Sequence, residues 1–151
     1  MRVIITGHDR DGKSMVESDR VIADEGMQSI FTTAGRTADA VAGVAPAPAA
    51  APHIDIVPSS GAASWVFVDV PPEEQLRAAL AAGIVGIDAE GWHTTPTVDY
   101  VLIMNGSIFL ALDTQEVELH AGDCVVQQGT RHAWRNRTDS RVRMACVMIA
   151  R

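Results

Sequence analysis

The sequence is poor in the residues that carry several common functions. It holds two cysteines in 151 residues, Cys124 and Cys146, each within an apolar, strand-like run, CVV and MACVMI. That is too few for a disulfide framework and predicts buried, reduced thiols. Basic charge is also scarce, with 12 Lys and Arg against 19 Asp and Glu and a formal net charge of −7. A surface of that sign repels DNA and RNA, so no nucleic acid partner is expected. No stretch approaches the roughly 18 apolar residues that span a bilayer, and the start has no basic region followed by an apolar signal core. No membrane partner is therefore expected, and cytoplasmic residence is the default. With no internal repeat and 47% hydrophobic residues, the chain has the makings of one domain with a real core and appendages.

What is present divides the chain into three. Residues 1–34 read as an N-terminal hairpin and strand extension: strands over 2–6 and 14–17 flank the turn residues HDRDG, and a further extended segment covers Gln28–Thr33. Residues 35–53, GRTADAVAGVAPAPAAAPH, are an Ala/Pro-rich linker, because alternating proline propagates neither helix nor ladder. Residues 54–151 are the main domain. Within it Trp65–Val70 has the composition of a buried strand, and PPEEQLRAALAAG reads as one short helix. Pro72 opens that helix, Glu73 and Glu74 suit its N-terminus, Leu76 and Leu80 share a face, and Gly83 stops it. From Val98 the pattern is strand and turn: DYVLIM, Asn105-Gly106, SIFLAL, DTQ, EVEL, HAGD, CVVQ and finally VRMACVMI. Asn-Gly between apolar runs predicts a type I′ hairpin, and short strands at this spacing predict an all-β sandwich or small barrel.

The stretch GHDRDGKS, residues 7–14, fits G-x-x-x-x-G-K-[ST], a phosphate-cradling loop. Such a loop works by opening a helix whose amides meet the phosphates, and MVESDRVIADEG after Ser14 has a weak helical face at best. No nucleotide is expected. Asp9, Asp11 and Gly12 instead suit a tight turn held by Asx-type bonds, with His8, Lys13 and Ser14 as bystanders.

The informative residues are histidines. His93 precedes the strand at 98, His132 follows CVVQ, and in a small antiparallel barrel the two converge across the lumen. Residues 93–106, HTTPTVDYVLIMNG, resemble the first motif of the cupins, H-x-H, three or four residues, Glu, six residues, Gly. Gly122, Gly129, His132 and Asn136 resemble the second, with Gln127 in place of its proline and one residue fewer in the first gap. The resemblance covers about residues 64–151. It extends to a subgroup of small bacterial and fungal cupins that also open with a TGHDxDGKS-like segment.

The resemblance implies a double-stranded β-helix whose lumen commonly holds a divalent metal. Carried over, its ligands are His93, Asp99 and His132, a two-histidine, one-carboxylate set that suits Fe, and less selectively Mn, Ni or Zn. Thr95 stands where a second histidine is usual, and Asp99 where glutamate is; a threonine hydroxyl is a poor ligand and is better placed to bond a water or substrate. Alternation puts Asp99, Val101 and Ile103 on one strand face and Tyr100, Leu102 and Met104 on the other. If Asp99 faces the lumen, Val101 and Ile103 wall it with Gln127 and Trp134, and Phe109 is a further candidate. Three functions fit: a metal-dependent oxygenase, lyase or isomerase; a metal-free lyase, dehydratase or isomerase with His93 and His132 as acid and base and Asp99 orienting one of them; and a non-catalytic cupin that binds a small molecule or serves as an accessory subunit. The bland alternatives are histidines bonded to backbone and an Asp99 that caps a turn. His120 reads as surface, and Trp65 and Trp92 as packing residues. Cupins of this size are commonly homodimers, which is the expected assembly.

Overall fold

In a computed structural model the described residues are 2–21, 57–58, 60–84 and 86–150. The expected strand at Gln28–Thr33 and the 35–53 linker lie outside them. Among the described residues nine strands run in chain order as β1 (Arg2–His8), β2 (Ser14–Val21), β3 (Ala63–Val70), β4 (Thr97–Ile103), β5 (Ser107–Leu112), β6 (Glu116–His120), β7 (Cys124–Gln127), β8 (His132–Arg135) and β9 (Val142–Ala150). The helix α1 (Glu73–Ala81) lies between β3 and β4. One sheet has the order β2-β1-β7-β4-β9-β3 and faces a second of order β6-β5-β8. This is the expected all-β, double-stranded β-helix with one short helix.

The alternation expected in β4 holds. Asp99, Val101 and Ile103 are buried, while Leu102 and Met104 are exposed. Ile103 joins Ile4, Ile108, Leu110, Leu119 and Val125 in a core that fills the barrel around it. β9 alternates the same way, sending Met144, Cys146 and Met148 inward. Both cysteines are free and buried, and burial pushes the Cys146 thiol up to about 12, so it stays protonated.

Two local expectations are corrected. Asn105-Gly106 is not a hairpin: β4 pairs with β7 and β9, whereas β5 pairs with β6 and β8, so the turn carries the chain from one sheet to the other. Gly106 alone takes the left-handed conformation (φ 68°), which a type I′ turn would require of both residues. Asn105 is spent on the corner, where its Oδ1 accepts from the Arg143 amide at 2.7 Å and its Nδ2 donates to the Arg141 carbonyl at 3.1 Å. The second correction is β3, which among the described residues is an edge strand paired only with β9, not a buried one. Its β-branched and aromatic residues suit a pleated surface whether or not that surface is covered. Trp65 is 74% exposed and packs into no core.

The opening stretch is the turn of the β1–β2 hairpin. Asp9 Oδ1 accepts from the amides of Asp11 and Lys13, both at 2.9 Å, and Ser14 begins a strand, so no helix follows to cradle a phosphate. The hairpin is no loose appendage, since β1 pairs in parallel with β7 and extends the large sheet. Ser14, 1% exposed, fastens its near end. Its Oγ accepts from the Asp113 amide at 2.6 Å, its amide donates to Asp113 Oδ2 at 3.0 Å, and its carbonyl accepts from the Thr114 hydroxyl at 3.0 Å. Ser14→Ala leaves the Asp113 amide unpaired at a part-buried site and is expected to cost about 1–2 kcal/mol in urea unfolding. A loss below a few tenths would show that the hairpin is held by its strand pairing alone.

Candidate functional site

Beyond the filled part of the barrel the lumen opens, around Asp99 and Val101, into a cavity of about 430 Å³. Strand ends supply its polar groups and the β3–β4 connection supplies much of its cover. Leu76 and Leu80 of α1, the two leucines that share a face, line it with Ile84 and Ile87. The helix starts where Pro72 ends the strand, and its first amide, that of Glu73, donates to the Asn136 carbonyl at 2.9 Å, which ties the cover to the end of β8.

His93 and His132 are drawn together by backbone. The two residues form an isolated antiparallel bridge, each amide donating to the other's carbonyl at 3.0 Å, so the 93 segment adds a rung beside β8. Their rings sit 4.1 Å apart between centroids. Asp88 sets the approach of that segment, its Oδ1 accepting from the Trp92 amide at 2.8 Å. Trp92 is packed as expected, with the Arg131 guanidinium 4.2 Å from its ring centre.

Both imidazoles are held the same way. His93 Nδ1 lies 3.2 Å from the Gly91 carbonyl and His132 Nδ1 2.9 Å from the Thr130 carbonyl. A carbonyl only accepts, so each Nδ1 carries the proton and each Nε2 keeps its lone pair. Burial lowers the pKa of both; His132, 3% exposed, falls to about 3, with His93 adding to the shift and the Thr130 bond opposing it. Asp99 moves the other way, raised by burial and tempered by the Thr97 hydroxyl, and its Oδ1 has no hydrogen-bond partner among the described residues.

Of the residues expected at the pocket, His93, Asp99, Val101, Gln127, His132 and Trp134 line this cavity. Ile103 and Thr95 do not. Ile103 lies deeper on the same strand face, within the filled core, and Phe109 packs under the Arg137 guanidinium, 4.3 Å from its ring. Thr95 is buried with its hydroxyl 2.7 Å from that of Thr97, so it reaches Asp99 only through Thr97. Among the described residues no three His, Cys, Asp or Glu side chains form a group that could hold a metal ion. The donor chemistry of His93, Asp99 and His132 suits a divalent metal, but their placement does not assemble it. His120 is exposed, as expected.

The cover contributed by α1 was missed at the level of sequence, although the shared face of Leu76 and Leu80 was its signal. The inward Met144, Cys146 and Met148 were likewise readable from alternation in MACVM.

Comparison with known proteins finds partial likenesses. A Phomopsin biosynthesis cluster protein, C′, of Diaporthe leptostromiformis is 38% identical over 76 residues, 48% of this chain and 40% of the relative. The Oryzines biosynthesis cluster protein J of Aspergillus oryzae is 44% identical over 46 residues, 30% of this chain and 26% of that protein. The chain thus spans well under half the length of these curated relatives. Among solved structures, a Cupin 2 conserved barrel domain protein from Salinispora arenicola is 22% identical with a TM-score of 0.40, covering 58% of this chain and 62% of that one. The family model described as Cupin domain matches residues 85–148. That segment holds His93, Asp99 and His132 but only part of the cavity's wall, since β3 and α1 fall outside it. Residues 85–148 of this chain belong to the cupin family.

Proposed function

We propose that the protein binds a small, largely apolar organic molecule in the barrel lumen and acts on it by proton transfer, as an isomerase, lyase or dehydratase does. The observation that carries this reading is the imidazole pair, His132 buried and His93 part-buried, each fixed with a free Nε2, on the same cavity as a carboxyl group with an oxygen unpartnered among the described residues. Burial lowers the pKa of His93 and raises that of Asp99, bringing an acid and a base that ordinarily differ by more than two units closer together. Both shifts lower the thermodynamic cost of proton exchange through a substrate held against the two groups, which favours acid–base catalysis. His132, the more depressed of the two, stays neutral and serves as a fixed hydrogen-bond acceptor. The biosynthesis-cluster relatives support an enzymatic role, each over a minority of its length.

A divalent metal in the lumen is the reading the fold family brings with it. Bound there, it would be held by His93, Asp99 and His132 and would polarise a substrate oxygen. As placed, these side chains form no group that could hold an ion, so no step is routed through one. Elemental analysis of protein purified without added metal is expected to find less than about a tenth of an equivalent of any transition metal, and chelation to leave ligand binding unchanged. Close to one equivalent, lost together with binding in His132→Ala, would replace the proton-transfer reading by the metal-dependent one.

We further propose a homodimer resident in the cytoplasm. Edge strand β3 supports the assembly, because Trp65 and Phe67, 74% and 59% exposed, are apolar surface that a second copy would cover. Light scattering at twice the chain mass is the expected result. No helix among the described residues is long and apolar enough to cross a membrane.

A further inference from the structure

Gln127 and Asp99 are directly opposed residues of the antiparallel pair β7–β4, so their side chains share one face of the sheet, and both line the cavity. Gln127 is 1% exposed and Asp99 5%. Their Oε1 and Oδ1 are the two buried side-chain atoms without a hydrogen-bond partner among the described residues. Burying one such acceptor costs about 1–3 kcal/mol, and two side by side on one wall is an arrangement a fold does not keep for its own stability.

The orientation of the Gln127 amide is fixed from outside the cavity. Its Nε2 donates to the Thr130 carbonyl at 3.3 Å and to the Thr130 hydroxyl. The carbonyl can only accept, which requires nitrogen on that side and turns Oε1 away from Thr130. The Thr6 hydroxyl donates to the Val126 carbonyl at 3.2 Å, so in the Thr6–Thr130 contact at 3.1 Å the Thr130 hydroxyl is the donor. The relay runs Gln127 to Thr130 to Thr6 to Val126, every donor with an acceptor, and it passes through Thr6, a residue of the N-terminal hairpin that does not line the cavity.

We infer that Gln127 Oε1 and Asp99 Oδ1 form a paired acceptor subsite that selects ligands bearing a hydrogen-bond donor, a hydroxyl or an N–H, on an otherwise apolar body, with Thr6 as a positioning residue. This rests on the lumen being the binding site and adds the chemistry by which it discriminates. Asp99 is shared with the proton-transfer pair, whereas Gln127 and its relay are not, so substitutions at Gln127 and Thr6 test the subsite apart from the proton-transfer step.

The test uses the full chain and two probes of nearly equal size, 2-naphthol and 2-methoxynaphthalene, with dissociation constants from tryptophan fluorescence and NMR. The alcohol is expected to bind about tenfold more tightly than its ether, the ratio given by one ordinary hydrogen bond. Gln127→Leu is expected to erase the preference while leaving ether binding within about twofold. Thr6→Val, remote from the cavity, is expected to reduce the preference, because the amide is no longer held one way round, and to leave the far-ultraviolet spectrum and ether binding unchanged. Equal binding of both probes by the wild type overturns the subsite and leaves the cavity reading intact; it means that an Asp99 proton already bridges the two oxygens. A preference retained in Gln127→Leu also overturns the paired subsite, assigning the contact to Asp99 alone or to a histidine Nε2. Binding of neither probe overturns the subsite and the small-molecule reading together.

Discussion

Acidifying the protein from pH 6.5 to pH 4.5 is expected to lower its unfolding free energy by about 2–3 kcal/mol, most of it through His132. In the fold this imidazole titrates at about 3, because burial beside His93 disfavours its charged form; in the unfolded chain it titrates near its ordinary 6.5. Between those values the unfolded state binds the extra proton, so stability is complete above pH 6.5 and is lost as pH falls toward 3, at about 1.4 kcal/mol per pH unit. His93 is shifted the same way and adds to the slope. Asp99 opposes it, since its raised pKa lets the folded state take up a proton first as pH falls. The carboxylates held low by partners, Asp113 by the Ser14 amide and Asp19 by the Arg2 guanidinium, act mainly below the ordinary carboxylate value of 3.8, outside this window. Urea unfolding at four pH values is the measurement, with His132→Gln expected to be flatter between pH 6.5 and 4.5. A wild type as stable at pH 4.5 as at 6.5 would show that the imidazole is protonated in the fold, and the acid–base assignment would fall with it.

Asn136 is expected to give the largest single loss of stability, about 3 kcal/mol in Asn136→Leu, or roughly 10 °C in melting temperature for a chain of this size. It is fully buried. Its Nδ2 donates to the carbonyls of Val70 at 2.9 Å and Ser140 at 2.7 Å, and its Oδ1 accepts from the Thr138 amide at 3.0 Å and hydroxyl at 2.7 Å. The Val70 carbonyl and the Thr138 amide lose this bond outright, the Thr138 hydroxyl and Ser140 carbonyl keep each other at 3.0 Å, and an isosteric apolar side chain replaces none of the four bonds. The loss reaches the site as well: Val70 lines the cavity, and the Asn136 carbonyl receives the first amide of α1. Weakened 2-naphthol binding is therefore expected at temperatures where the variant is still folded. A cost under 1 kcal/mol would mean that the 136–140 turn is held by its neighbours.

These two residues also mark how far the sequence could be read. His132, Asn136, Gly129 and Gly122 stood at motif spacing, and period two placed Asp99 and Val101 on the lumen face of β4 with Leu102 outside. Spacing along a strand survives in the fold, so this part was legible. What failed was which strand pairs with which. Asn105-Gly106 carries a strong hairpin signal, yet the competing partners of β4 are β7 and β9, and only tertiary packing decides between a hairpin and a sheet-to-sheet corner. The composition of β3 says that it is a strand and not whether it lies at an edge. The orientation of Gln127 depends on Thr6, more than a hundred residues away, and no local pattern announces such a contact.

The parallel pairing of β1 with β7 sets Val3 against Cys124 and Ile5 against Val126. A hairpin near the start of the sequence therefore waits, while a ribosome makes the chain, until some 120 residues have followed it before its inner edge finds a partner. Closing a loop of that length precedes any reward from the contacts it permits, which makes docking of the hairpin a late and slow event in folding. Until then Ile4 and its neighbours form an open strand edge in need of protection, so the yield of folded protein is expected to depend on chaperone supply more steeply than its final stability suggests.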